Sequence, residues 1–263
     1  MIRNQLLRKR PLLVIALGAG ALMVYGCSGG TESTPPSAVQ PAPPASAPSR
    51  INFGGGIATS FLSRDAGGAP LTLGVRLSQE VITGVGPAQL SAILELPPAA
   101  DLLPFNHIQI DWMPGGHSPF GVYNLPHFDV HFFMIGQTER ANITLADRTA
   151  MFRVPQESAI PSGYRADSEG FAAMGVHWLD SQAPEFAQQP FTRTMIHGFH
   201  DGRMIFQEPM VTKAFLETRP DFRAPVAQPR EYARPGYYPT SYRIAYDAAT
   251  GDYIIALDSL KRR

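Results

Sequence analysis

Polar and apolar residues alternate with a period of two along much of the chain after residue 50, and this pattern predicts short β-strands. Gly and Pro residues separate the alternating stretches, as they do between the strands of all-β proteins. The candidate strands are residues 58–62, 71–77, 90–96, 107–112, 127–134 and 174–179. Ser78 and Thr138 are candidate N-caps for short helices that end at Thr83 and Leu145. The sequence therefore predicts a mainly β fold, a single β-barrel or barrel-like sandwich with one or two short helices.

Two hairpins close the predicted fold. Asp201-Gly202 is a type I′ turn signal between strand-forming residues, and a two-residue loop pairs His200 with Arg203 and His197 with Phe206. Counting residues along the two strands then places His197 and Glu208 on one face. The second hairpin joins residues 241–246 to residues 253–257 through a turn that contains Gly251.

One strand combines this alternation with reactive side chains. In residues 127–132, His127, Asp129 and His131 point to one face, whereas the alternate residues Phe128, Val130 and Phe132 point to the other. All seven histidines of the chain fall between His107 and His200. The polar face of this strand is therefore the best candidate for a functional site.

Imidazole and carboxylate groups in such a cluster are ligands for zinc, manganese, iron or copper. The candidate ligands are His127, Asp129, His131, His177, His197 and Glu208, with His117 as a further candidate. Residues four apart on a strand lie ~13 Å apart, so His127 and His131 are not expected to bind the same ion. The alternative is that these groups form a polar core in which they hydrogen-bond to one another without a metal. The sequence leaves both interpretations open.

The first 26 residues have the layout of a secretory signal peptide. Four basic side chains within the first ten residues precede an apolar stretch at residues 12–24, and Gly26 stands directly before Cys27. The stretch VYGC resembles a bacterial lipobox, which implies that Cys27 is lipidated. Ser28 follows it in place of aspartate, and this resembles the pattern of outer-membrane lipoproteins. We therefore expect a protein of the cell envelope that is anchored through its lipid in the outer membrane and faces the periplasm.

Composition divides the rest of the chain in two. Residues 27–50 are rich in Pro, Ser and Ala and predict a flexible tether, because they hold too little apolar surface to fold. Residues 51–263 are expected to form a single β-rich domain. The net charge of the chain is +0, and this domain has no basic run before its last three residues. Nucleic acid is therefore not an expected partner.

A serine hydrolase is excluded by the residues around Ser118. Gly116-His117-Ser118 begins like a nucleophile elbow, but Phe120 stands where that motif requires glycine. Pro119 follows the serine and has no N–H group, whereas an oxyanion hole uses the N–H of the residue after the nucleophile.

Five motifs stand out along the chain: GGHSPFGVY at 115–123, PHFDVHF at 126–132, GVHWLD at 175–180, HGFHDG at 197–202 and EPMVT at 208–212. Together they resemble a bacterial envelope family of unknown function, the TTHB-like domain family, which is typified by a Thermus protein. The similarity extends over about residues 55–260. It implies a secreted or lipidated protein with a β-barrel-like fold, and it implies no reaction. Ser118 departs from the family pattern, in which an acidic residue often follows the histidine.

No feature of the sequence identifies a reaction, and three functions stay open. The first is a binding or structural module with a His/Asp/Glu cluster that holds a divalent metal. The second is a cupin-like, metal-dependent enzyme acting on a small molecule, with Asp129 or Glu208 moving protons. The third is an envelope protein that assembles into homo-oligomers and has no site.

Overall fold

The computed structural model describes residues 49–98 and 100–263, all of which belong to one compact unit. The predicted signal peptide, Cys27 and nearly all of the tether lie outside the described residues. Within these two ranges, no helix has both the length and the apolar character that crossing a membrane requires.

Antiparallel strands make up most of the described chain. They are β1 (Arg50–Phe53), β2 (Gly56–Arg64), β3 (Pro70–Leu77), β4 (Leu90–Glu95), β5 (His107–Met113), β6 (His127–Phe133), β7 (Tyr164–Phe171), β8 (Gly175–Asp180), β9 (Arg193–His200), β10 (Arg203–Thr212), β11 (Asp221–Pro225), β12 (Tyr237–Tyr238), β13 (Ser241–Asp247), β14 (Asp252–Asp258) and β15 (Lys261–Arg262). The α-helices are α1 (Gln79–Gly84), α2 (Gln137–Ala141), α3 (Arg148–Met151) and α4 (Lys213–Glu217). Short 3-10 turns occur at Glu157–Ala159 and Pro184–Ala187.

The strands form two large sheets that pack face to face. One sheet has six strands in the order β1-β2-β3-β14-β13-β11, and the other has seven in the order β4-β5-β6-β10-β9-β8-β7. Strands β12 and β15 pair separately. The core between the sheets takes Val75 and Ile255 from the first sheet and Ile110 and Val130 from the second. The predicted mainly β fold is thus confirmed as a barrel-like sandwich, and the described strands form no closed barrel.

The helices are more numerous than the one or two that the sequence predicts. Helix α1 follows Ser78 as predicted, whereas α2 begins after Gly136 and ends well before Leu145. Helices α3 and α4 are four and five residues long, and each has a side-chain cap. Helices this short carry no apolar periodicity, so the sequence pattern does not reveal them.

A bulge in the β9–β10 hairpin changes which side chains share a face. Arg203 pairs with His200 as predicted, but the register shifts between Met204 and Phe206, so that Gln207 pairs with His197. One extra residue in a strand turns all the following side chains to the opposite face. The prediction that His197 and Glu208 share a face is therefore wrong.

Candidate metal centre

The outer face of the seven-stranded sheet carries the candidate site. Phe128, Val130 and Phe132 of β6 belong to the core between the sheets, so the alternate residues of β6 point away from the six-stranded sheet. Those residues are His127, Asp129 and His131.

The neighbouring strands add side chains to the same face. Asp111 of β5 lies directly opposite Asp129, and Glu208 of β10 follows Gln207, which pairs with Phe132. Glu208 is thereby placed beside His131. His177 comes from β8, and His117 comes from residues 114–126, the loop between β5 and β6.

The first group, which we call the outer triad, consists of His117, His127 and Asp129. The Nε2 atom of His127 lies 3.0 Å from Oδ1 of Asp129, and the Nε2 atom of His117 lies 3.4 Å from Oδ2. The ring centroids of the two histidines are 4.8 Å apart. Both imidazoles therefore direct Nε2 at one carboxylate.

The backbone fixes the tautomer of both rings in the outer triad. Nδ1 of His127 lies 2.6 Å from the carbonyl oxygen of Leu125, and Nδ1 of His117 lies 2.7 Å from that of Ser118. Since a carbonyl oxygen only accepts, each Nδ1 carries the hydrogen and donates it. In the neutral rings Nε2 is then a lone pair that faces carboxylate oxygen, which is an unfavourable contact unless a proton or a cation lies between them. Metal-bound histidines are held by such Nδ1 hydrogen bonds.

The second group, which we call the inner triad, consists of His131, His177 and Glu208. Nε2 of His131 lies 3.3 Å from Oε1 of Glu208, and Nε2 of His177 lies 4.0 Å from Oε2. On its other side, Nδ1 of His131 lies 3.3 Å from Oδ2 of Asp111. Asp111 itself accepts two hydrogen bonds from the amide nitrogen of Gln109, at 2.9 and 2.8 Å.

These separations are compatible with a coordination sphere. Two ligand atoms that each lie about 2.1 Å from a tetrahedral metal ion are about 3.4 Å from each other. In each triad the three candidate ligand atoms lie within 4.8 Å of one another. Among the described residues, no hydrogen-bond partner exists for several buried atoms that converge here, namely Nε2 of His127, Oδ1 of Asp129, both ring nitrogens of His131, Nε2 of His177 and Oε2 of Glu208. Native proteins rarely leave so many buried polar atoms unpaired.

The charges of the site are also unbalanced. Asp111, Asp129 and Glu208 are all buried, and the ion pairs recorded for these three carboxylates in the described chain are with histidines. Burial, with the charges of Asp129 and Asp111, raises the pKa of Glu208 well above its ordinary value. Burial acts against ionisation of Asp129 as well, but the imidazoles of His127 and His117 outweigh it and hold its pKa far below the ordinary value. A bound cation would relieve this crowding of carboxylates.

The histidines of the two triads differ in their electrostatic setting. Burial, followed by the neighbouring His131 and His117, lowers the pKa of His177 to about 3, so its ring is neutral and able to bind a metal. For His117 burial opposes the charge, but the hydrogen-bonding and charge of Asp129 are stronger together and raise its pKa. Asp129 thus favours the protonated form of His117.

Access to the site differs between the triads. The side chain of His117 is 18 % exposed, whereas those of His131, His177 and Glu208 are 2 %, 6 % and 1 % exposed. The loop that carries His117 depends on Gly116, which has a φ of 69° and where a Cβ would lie 2.0 Å from the carbonyl oxygen of Tyr123. His117 is therefore the most exposed of the candidate ligands in the two triads.

His197 lies outside this group. Because of the bulge in β10, His197 lies on the face of the sheet opposite Glu208. Its ring centroid lies 4.5 Å from that of Tyr164. Burial lowers the pKa of His197 to about 3. Neither of its ring nitrogens has a hydrogen-bond partner in the described part of the chain, and the same holds for the side-chain amide of its cross-strand neighbour Gln207.

Asp111 is the residue of the site that the sequence analysis did not select. The alternation in residues 107–112 places His107, Gln109 and Asp111 on one face of the predicted strand that precedes the histidine strand in the chain. This pattern could have identified Asp111 as a candidate. His107 is on this face too, but it contacts Arg140, with 3.4 Å between Nε2 and Nη1. It belongs to neither triad.

No family model, curated protein or solved structure matches this chain. The resemblance to the TTHB-like family stays a prediction. Buried His, Asp and Glu groups that could hold a metal ion are what the geometry establishes, and this is compatible with a binding module.

Proposed function

We propose that this protein is a lipid-anchored protein of the cell envelope whose β-sandwich is a binding module for a divalent metal. The observation that carries the proposal is the outer triad, where two imidazoles have their Nδ1 hydrogens committed to carbonyl groups and direct their Nε2 lone pairs at Asp129. In a polar core without metal, a proton would have to take the place of the ion between Nε2 and the carboxylate.

The ligand atoms limit the choice of metal ion. Each triad offers two imidazole nitrogens and one carboxylate, which suits zinc, manganese, iron or copper. Neither triad contains a sulfur ligand, which does not favour Cu(I). Incubation of the protein with all four ions in one sample would rank them by their affinity for the site.

Burial favours binding over catalysis. Ligand sets closed to solvent are typical of structural metal sites, whereas catalytic sites keep a coordination position for water or substrate. A cupin-like enzyme acting on a small molecule is the second candidate. It is supported by the partial exposure of His117, since three protein ligands leave one position open at the end of the site nearest the surface.

Metal analysis by mass spectrometry on the untagged full-length protein, extracted in detergent, tests the proposal. We expect at least one first-row divalent ion per chain, in an amount that His127→Ala reduces and that His197→Gln retains, because His197 faces away from both triads. His197→Gln is the matched control, since it also removes a buried histidine from the same sheet. A wild-type protein that stays free of metal after incubation with zinc, manganese, iron and copper would show that the cluster is a polar core.

The lipid anchor has its own test. We expect Cys27→Ser to move the protein from the membrane fraction to the soluble periplasmic fraction, because the thiol that would carry the lipid is gone. Radiolabelled palmitate should mark the wild type and not the variant. Equal membrane association of both proteins would contradict the proposed anchor.

A further inference from the structure

We infer that the site holds two metal ions, an exchangeable one in the outer triad and a closed one in the inner triad. This inference rests on the proposed function, since it assigns occupancy within the same site. It distinguishes two ions with similar ligand sets and different access from one ion shared by the whole cluster.

The geometry of β6 separates the two positions. His127 and His131 lie four residues apart on one regular strand, which spaces their Cα atoms ~13 Å apart. An ion about 2.1 Å from a nitrogen of one ring cannot also bind the other ring. The remaining histidines follow the same division, because His117 approaches Asp129 whereas His177 approaches Glu208.

Each position has its own set of three ligands. The outer triad brings two imidazoles and Asp129 together, and the inner triad brings two imidazoles and Glu208 together. Asp111 lies 3.3 Å from Nδ1 of His131, on the side of the ring away from Glu208. A carboxylate in that position orients a metal-bound histidine and makes it a stronger ligand.

The charge of the cluster is compatible with two ions. Three buried carboxylates, Asp111, Asp129 and Glu208, carry three negative charges when ionised, against the four positive charges of two dications. A single dication would leave an imbalance of the same size and opposite sign, so the positions of the ligands, and not the charge, argue for two ions. Buried charges are stable only when they are paired with opposite charges.

The two positions differ in their route to solvent. All three ligands of the inner triad lie on strands of the sheet and are almost fully buried. One ligand of the outer triad, His117, is partly exposed and lies on a loop. An ion can leave the outer triad when this loop moves, whereas release from the inner triad requires the sheet itself to open.

Zinc release to a chromogenic chelator tests the inference on the full-length protein loaded with zinc. We expect two zinc ions per chain, released in a fast phase and a slow phase of equal amplitude. His117→Ala should lose the fast phase and His177→Ala the slow phase, each with the loss of one ion. His200→Ala, at the tip of the β9–β10 hairpin, is the control and should keep both phases.

The outcomes separate this inference from the proposed function. One zinc ion per chain that both variants abolish would overturn the two-ion inference and leave a metal-binding module. No bound zinc, manganese, iron or copper in the wild type would overturn both. Should His177→Ala fail to fold, the number of ions and the two phases in the wild type still decide the matter, and His177→Asn replaces the variant.

Discussion

Strand β6 has two faces that are equally buried and chemically opposite. Phe128, Val130 and Phe132 are fully buried against the six-stranded sheet, and His127, Asp129 and His131 are 0 %, 3 % and 2 % exposed on the other side. On the apolar face, removal from water is itself favourable. On the polar face, the side chains have lost hydration and several of their atoms have gained no hydrogen bond.

Burial of the two faces of β6 therefore has opposite effects on stability. The apolar face contributes stability, and the polar face costs stability until something binds there. The ring of His127 is nevertheless held in place, because its Nδ1 donates a hydrogen bond to the backbone carbonyl of Leu125. Such positioning before binding is typical of sites that take a ligand.

The largest effect is expected from the apolar face. Phe132→Ala should lower the free energy of unfolding by about 3–5 kcal/mol, since it removes a fully buried ring from the core between the sheets. Urea unfolding with and without a chelator measures this. We expect the same loss in both conditions, because the side chain of Phe132 lies on the face of β6 opposite the candidate ligands. A loss that appeared only with metal present would show that the two faces are not independent.

Added metal is expected to make the polar face of β6 stabilising. At a free zinc concentration 100 times the dissociation constant, binding should stabilise the wild type by about 2.7 kcal/mol for each site. Phe132→Ala should keep this increment, whereas Asp129→Asn should lose the part that comes from the outer triad. Urea unfolding of the three proteins at matched zinc concentrations is the measurement. An Asp129→Asn protein with the full increment would remove Asp129 from the site.

His197 tests a buried histidine away from the triads. Burial lowers its pKa in the folded state to about 3, and an unfolded histidine titrates near pH 6.5. As pH falls from 6.5 toward 3, the unfolded chain binds a proton that the folded chain does not, so stability falls with pH. His197→Gln should therefore reduce the pH dependence by about 1.4 kcal/mol per pH unit in this window. Unfolding between pH 4 and 7 in chelator measures it, and equal slopes for the two proteins would contradict it.

The sequence predicted the sandwich well because its strands alternate strongly. The apolar members of residues 107–112 and 127–132 form the core between the sheets, as their period implies. Strand β7 was not predicted, because Tyr164–Phe171 is mostly exposed and holds Asp, Ser, Glu and Gly residues in place of an apolar face. Sheet contacts, which alternation along one strand does not encode, make this segment a strand.

The sequence predicted the candidate ligands by residue type, and the structure assigns all of them except His197 to two triads. His127 and Asp129 follow from one strand, but the partnership of His131 with Glu208 depends on the order of the strands in the sheet. The sequence does not fix that order. His197 was misplaced because the bulge beside Ile205 has no Gly or other marker in the sequence.

The smallest effect is expected in the loop of residues 114–126, which carries His117. The hydroxyl of Ser118 donates a 2.8 Å hydrogen bond to Oε2 of Glu169, which ties the residue after His117 to β7. Ser118→Ala should lower the free energy of unfolding by about 0.5–1.5 kcal/mol, the usual contribution of one hydrogen bond. It should also speed zinc release from the outer triad, because His117 is less firmly held. Glu169→Gln keeps an acceptor at the same position and should change the release less, whereas unchanged release from Ser118→Ala would show that backbone contacts alone position His117.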